Sequence, residues 1–149
     1  MAELLFVYGT LRDPDLRSAV LGRRTGATAA LAARAPGFAT VHYPGRVYPA
    51  LVRVPGGAAD GLVLTDLTPF EIDLLDAYEG EEYRRTLLPV MIDEQLHEVF
   101  AYLPAVAVAR DGAPWSLAAW QENHKPRVLA GEASSAEQLR LKLIAIRPH

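Results

Sequence analysis

The chain reads as an α+β domain: a small mixed, barrel-like β-sheet with flanking helices. Three observations predict this class. Short runs of strand-type residues recur between Leu4 and Tyr102, separated by Pro- and Gly-containing turns. Two helix-start signals, Asp13-Pro14 and Thr68-Pro69, interrupt those runs without the regular β–α alternation of a doubly wound parallel sheet. With 149 residues, half of them hydrophobic, the chain is long enough to bury one real core.

The first strand is Leu4-Leu5-Phe6-Val7, an apolar run that breaks into Tyr8-Gly9-Thr10-Leu11. The first helix runs from about Asp13 to Leu21: Asp13 suits the cap, Pro14 the first helical position and Gly22 the end. Thr25 to Arg34 is Ala-rich and is read as strand from its Gly and Pro flanks. Phe38 to Val54 reads as short strands broken by turns, with Pro44-Gly45 one turn and Pro55-Gly56-Gly57 the next. Asp60 to Thr65 is the returning strand.

Thr68-Pro69-Phe70-Glu71 has the spacing of a capping box, and Phe70, Leu74 and Tyr78 make an apolar stripe that ends at Gly80. Tyr83 to Ile92 and Leu96 to Tyr102 then form a hairpin through Asp93-Glu94-Gln95. Pro114 to His124 reads as a helix stopped by Pro126. A linker, Ala130 to Ala133, precedes a last helix that starts at Ser134-Ser135-Ala136-Glu137 and carries the stripe Leu139, Leu143 and Ile146. That stripe reads as an intramolecular packing face, with a homodimer face as the alternative.

Composition removes several function classes. The net charge of −3 offers no basic surface to nucleic acid or anionic lipid. The chain has no cysteine, so disulfides, thiol catalysis and cysteine metal sites are excluded. His42, His97, His124 and His149 show no metal-ligand spacing. No apolar run approaches the roughly 20 residues of a membrane-spanning helix, and the start lacks the charge pattern of a leader; the expected compartment is the cytoplasm. Gly-x-Gly-x-x-Gly, Walker and Gly-x-Ser-x-Gly motifs are missing, so nucleotide binding and serine hydrolysis lose their usual signatures.

Three stretches could carry chemistry. The Tyr8-Gly9-Thr10-Leu11 loop would present backbone N–H groups beside a hydroxyl, suited to a small anion or a carbonyl oxygen; the plain alternative is a strand–helix turn. The acidic set Glu71, Asp73, Asp76, Glu79, Glu81 and Glu82 reads first as a solvated helix face, and its helical spacing spreads the carboxylates too far for a metal site. Glu79 stands apart. It meets the negative end of a helix and has like charges close by, and both raise its pKa toward the range of a reversible proton carrier. Tyr48-Pro49-Ala50 is either a bulged edge strand or a loop closing a pocket. Tyr83 and Arg84 are either a strand start with a solvated base or an aromatic wall with an ion-pair partner for the acidic helix. Trp120 reads as core.

In combination, Phe6-Val7-Tyr8-Gly9-Thr10-Leu11, Gly45-Arg46-Val47-Tyr48-Pro49-Ala50 and Leu75-Asp76-Ala77-Tyr78-Glu79-Gly80, the last followed by Tyr83-Arg84-Arg85, resemble the γ-glutamylcyclotransferase-like family, including its plant AIG2-like branch. The order and spacing fit over roughly residues 4 to 125. The resemblance implies a domain over residues 1–126 and a C-terminal extension over 127–149. It implies a pocket floored by Tyr8, Gly9, Thr10 and Leu11 and walled by Tyr48 and Tyr83, with Glu79 as general acid/base and Glu82 as a nearby rival. The implied reaction cleaves a γ-glutamyl amine by internal cyclisation, releasing 5-oxoproline, with no metal or cofactor required. The alternative is a non-catalytic binding or regulatory module that uses the same pocket for a small acid metabolite. No nucleic-acid or membrane partner is expected.

Overall fold

The fold is that of a computed structural model, which describes residues 3–146. Met1 and Ala2, part of the start read for a leader, and His149 lie outside the described residues. Five strands close into a barrel in the order β1 (Glu3–Val7), β3 (Pro49–Leu67), β2 (Ala30–His42), β4 (Tyr83–Ile92) and β5 (Gln95–Pro104). Strand β1 lies antiparallel to β3 on one side and parallel to β5 on the other. This makes the sheet mixed and leaves β1 no free edge. Four helices flank the barrel: α1 (Pro14–Leu21), α2 (Pro69–Glu79), α3 (Leu117–Asn123) and α4 (Lys125–Ile146). No helix among the described residues is long and apolar enough to cross a membrane.

The continuous apolar run of β1 follows from its position. Successive side chains of a strand point to opposite faces. Phe6 and Tyr8 enter a buried cluster to which all five strands contribute, including Phe38, Leu51, Val63, Val90 and Val99; this is the barrel interior. Leu5 and Val7 enter the second cluster, under the helices, with Leu16, Val20, Leu67, Leu75 and Trp120. Both faces are buried, so neither needs polar residues.

The helix-start signals form as read. Asp13 caps α1 by accepting from the Leu16 N–H at 2.9 Å, and Gly22 ends it. Thr68 and Glu71 make the reciprocal capping box of α2. The hairpin turn is tighter than expected. Asp93 and Glu94 alone form it, with φ of 48° and 66°, and Gln95 already pairs with Ile92.

Elsewhere the strands and the tail differ from the reading. The stretch 25–34 is strand only from Ala30, after a 3-10 turn over Ala27–Ala29. The runs between Phe38 and Thr65 belong to two long strands. Pro55-Gly56-Gly57 is not a turn between strands but a bulge within β3, where residues 54–57 stand opposite the single Gly37 of β2. Helix α3 begins after the Ser116 cap, because Pro114 is used in a bridge to Val41. Pro126 does not stop a helix; it sits in the first turn of α4, where its missing N–H costs nothing. Helix α4 continues through Gly131 and Ser134, so residues 130–133 are not a linker.

Buried Asp13 joins the helices. Besides capping α1, it accepts from Gln121 of α3 at 2.8 Å and pairs with Lys125 of α4 at 2.9 Å. Arg140 of α4 donates in turn to the carbonyls of Ala19 and Val20 at the end of α1. Burial raises the Asp13 pKa, but the hydrogen bonds it accepts from the Leu16 N–H, Lys125 and Gln121, with the charge of Lys125, outweigh it and hold the carboxyl below the usual carboxylate range. Asp13→Ala is expected to cost about 2–4 kcal/mol in chemical denaturation near neutral pH, from the lost cap and the broken ion pair. A group with a depressed folded pKa stabilises above its unfolded value and loses that contribution in acid, so the gap to wild type shrinks as pH falls below about 4.

Candidate active site

All four helices join β1 and its following loop in lining a cavity of about 250 Å³. Strand β1 delivers Tyr8 to its floor, and the chain then turns through a 3-10 turn over Thr10–Arg12. Buried Arg17 of α1 fixes that turn by donating to the carbonyls of Leu11 at 3.0 Å and Arg12 at 3.3 Å. Gly9 is needed for space rather than for an unusual φ: a Cβ there would stand 2.7 Å from Cγ of Pro49. The close approach brings Tyr48 and Pro49, at the start of β3, against the floor. Tyr48-Pro49 is thus a loop and strand start beside the cavity, not an edge bulge.

Helix α2 delivers Tyr78 and Glu79 in its last turn, and Gly80, at φ 66°, ends it. A second 3-10 turn, Gly80–Glu82, then leads into Tyr83. Tyr8, Gly9, Thr10, Leu11, Tyr48, Glu79 and Tyr83 all line this one cavity, with Glu82 and Tyr102 beside them.

The hydroxyls around Glu79 are already committed. Tyr8 donates to the Tyr102 carbonyl, Tyr48 to the Glu82 carboxylate, and Tyr83 to the Pro49 carbonyl at 2.6 Å. Tyr102 donates to Asp76 at 2.7 Å and Tyr78 to Glu132 at 2.8 Å. Among the described residues none donates a hydrogen bond to Glu79. Burial pushes its carboxyl up to about 8, and the charges of Glu132 and Glu82 push in the same direction. The nearby acid Glu82 is in a different state: Arg46 pairs with it at 3.1 Å, and Tyr48 donates to its other oxygen. Of the two acids, Glu79 is the one whose lone pairs are free toward the cavity.

The other members of the acidic set divide. Asp73 and Glu81 are exposed, as a solvated face requires. Glu71 is buried in a two-bond pair with Arg23, at 2.6 and 2.8 Å. Asp76 is held by Arg85 at 2.9 Å. Of the two adjacent arginines of β4, the one that pairs with α2 is therefore Arg85 and not Arg84, which is exposed on the other face of the strand. Among the described residues no group of three His, Asp or Glu side chains could hold a metal ion.

A family profile described as gamma-glutamyl cyclotransferase, AIG2-like, matches residues 5–122. The chain belongs to that family. Curated relatives include AIG2-like protein A of Arabidopsis thaliana, 30% identical over 84% of this chain and 76% of its own length. AIG2-like protein D of the same plant is 28% identical over 92% of this chain and 91% of its own length. Among solved structures, an Arabidopsis thaliana protein shares 28% identity with a TM-score of 0.63, over 99% of this chain and 95% of that one. A structure titled gamma-glutamyl cyclotransferase, at 18% identity and a TM-score of 0.57 over 100% of this chain and 90% of that one, shares the fold.

Among the cavity residues of this family member, Tyr102, Val128 and Glu132 were not read as such from the sequence, and Glu132 is the charged one. Glu132 comes from α4, beyond the matched span, in the stretch read as a linker. Its signal was slight: Val128 and Glu132 are four residues apart and share a helix face only if α4 starts before them.

Two outcomes are expected. Glu132→Gln removes a like charge, so the Glu79 carboxyl, followed by carbon NMR, titrates below its wild-type value of about 8. The stability of Glu79→Gln measures the same burial. Between the ordinary carboxyl value of 4.5 and about 8 the native chain binds a proton that the unfolded chain has released, so wild-type stability falls as pH rises through that window. In thermal melts the variant should match wild type near about pH 5 and exceed it by about 5 °C or more near about pH 9.

Proposed function

We propose that the chain is a γ-glutamylcyclotransferase-type enzyme that cleaves a γ-glutamyl amine by intramolecular cyclisation, with Glu79 as general acid/base. The observation that carries this reading is the Glu79 carboxyl, free of donors, lining the same cavity as the loop Tyr8 to Leu11.

In the proposed step Glu79 takes a proton from the substrate's α-ammonium. The freed amine attacks the γ-carbonyl carbon of the same molecule, closing a five-membered ring. Tethering gives the nucleophile a high effective concentration, so little more than orientation is asked of the protein. As the tetrahedral carbon collapses, the bond to the leaving nitrogen breaks. Glu79 returns its proton to that nitrogen, the ring nitrogen then gives up its second hydrogen through the emptied Glu79 carboxylate to the same amine, and 5-oxoproline and the ammonium form of the amine leave. A carboxyl at about 8 suits both transfers, because it lies between an ordinary carboxylate and an aliphatic ammonium. The N–H groups of Thr10 and Leu11 open the 3-10 turn and have no acceptor within it, which supports a role for them in binding the substrate α-carboxylate or the developing oxyanion. Tyr8, Tyr48 and Tyr83 shape the walls.

The test is release of 5-oxoproline from a panel of γ-glutamyl amines. Wild type is expected to turn over at least one of them. Glu79→Gln, nearly isosteric but not basic, is expected to lose about 10²- to 10⁴-fold in kcat while remaining folded. The wild-type kcat/KM should rise with pH through a value near 8, where Glu79 becomes ionised. Full turnover by Glu79→Gln would sink the mechanism. Thermal stabilisation by a γ-glutamyl amine without turnover would assign the pocket to binding alone.

A further inference from the structure

The charge of the cavity bears on which amine leaves. Among the described residues its lining holds three carboxylates, Glu79, Glu82 and Glu132, and no Lys, Arg or His. Two of the three are accounted for. Glu82 is matched by Arg46. Glu79 is given to proton transfer and spends much of its time neutral at physiological pH. Glu132 remains. It is half-buried, and among the described residues its one hydrogen-bond donor is the neutral Tyr78 hydroxyl, at 2.8 Å; no cation pairs with it. An ionised carboxylate can accept about four hydrogen bonds, and beside a low-dielectric cavity its charge is poorly screened.

The surroundings of Glu132 point to the shape of what would complete it. Val128 lies one turn before it on the same face of α4, and Trp120 of α3 is buried against the same cavity. This is an apolar strip ending in an anion. It suits methylene groups followed by an ammonium, which brings three donors and the missing charge. A leaving amine that bears a carboxylate would instead set two like charges against each other.

Resting on the cyclotransferase reading, we propose that Glu132 is a specificity-determining residue that selects a cationic group on the amine side of the substrate, so that γ-glutamyl diamines are preferred over γ-glutamyl amines whose leaving group carries a carboxylate. The residue lies on α4, outside the span matched by the family profile.

The experiment uses three substrates with the same four-carbon spacer: γ-glutamyl-1,4-diaminobutane, γ-glutamyl-butylamine and γ-glutamyl-4-aminobutyrate. They end in a cation, a methyl group and an anion. The quantity read is the ratio of kcat/KM between substrates at one pH, which cancels any change in Glu79 ionisation caused by a variant. Wild type should prefer the diamine over the butylamine by about 10- to 100-fold, carried mainly by KM, the range of a charge-assisted hydrogen bond. In Glu132→Gln, which can still accept from Tyr78, the ratio should fall toward one. In Glu132→Lys the order should reverse in favour of the anionic substrate. An unchanged ratio in Glu132→Gln overturns the proposal. So does an equal loss on all three substrates, which would place the α-ammonium, common to them all, against Glu132. If wild type releases no 5-oxoproline from any of the three, the cyclotransferase reading fails. Calorimetric Kd values for the same substrates, judged by the same ratios, then decide the role of Glu132 by itself.

Discussion

The site depends on how six tyrosine hydroxyls are spent. Each tyrosine of the chain donates to an acceptor other than Glu79: Tyr43 to the Glu82 carbonyl, Tyr83 to that of Pro49, Tyr8 to that of Tyr102, and Tyr48, Tyr78 and Tyr102 to the carboxylates of Glu82, Glu132 and Asp76. Any one of them turned toward Glu79 would supply a neutral donor to its carboxylate and lower its pKa. Because all are held elsewhere, the carboxyl is surrounded by polar groups yet has no partner among the described residues. The same bonds assemble the cavity. Tyr102 ties β5 to α2, Tyr83 ties β4 to β3, and Tyr78 ties α2 to α4.

The barrel makes this arrangement rigid where rigidity matters. Strand β1 is hydrogen-bonded on both edges and buried on both faces, so the loop that follows it starts from a fixed point. Arg17 then fixes the turn by its carbonyls and leaves its leading N–H groups uncommitted. Helix α2 is fixed at its start by the capping box and the Arg23–Glu71 pair, and near its end by the Arg85–Asp76 pair. Glu79 follows Asp76 by less than one turn, so its backbone inherits that constraint while its side chain does not.

Much of this was legible because the decisive signals were local. A cap, a proline at the first helical position and a glycine at the end specify α1 and α2 within a few residues, and both formed as read. The aromatic loops were legible as motifs, and the barrel brings Tyr8 to Leu11, Tyr48 and Tyr83, though not Arg84, to one cavity. The misreadings came from residues whose local meaning was overruled by distant partners. Pro55-Gly56-Gly57 has the composition of a turn, yet β2 continues past it on one side and β3 resumes its ladder, so it becomes a bulge. Ser134-Ser135-Ala136-Glu137 has the spacing of a cap, yet α4 already covers α1 from Lys125 onward. Its packing there, through Lys125 on Asp13 and Arg140 on the end of α1, outweighs a local stop signal. The pairing of Arg85 rather than Arg84 with α2 is a matter of strand parity, which the order of two adjacent arginines does not reveal.

The two carboxylates that face the cavity without a cation come from different parts of the chain. Glu79 is carried by a helix that the barrel holds at both ends, within the span that defines the family. Glu132 is carried by a long helix laid over α1 and α2 beyond that span. The first is constrained by everything that makes the fold; the second only by the face that α4 turns inward. A substitution at position 132 changes the charge at the cavity wall and the Tyr78 bond that joins α4 to α2, without touching the barrel or the turn after β1. On the proposed reading, proton transfer and choice of leaving group fall to elements that can vary separately. They are coupled only through the Tyr78 hydroxyl and the field that Glu132 exerts on Glu79.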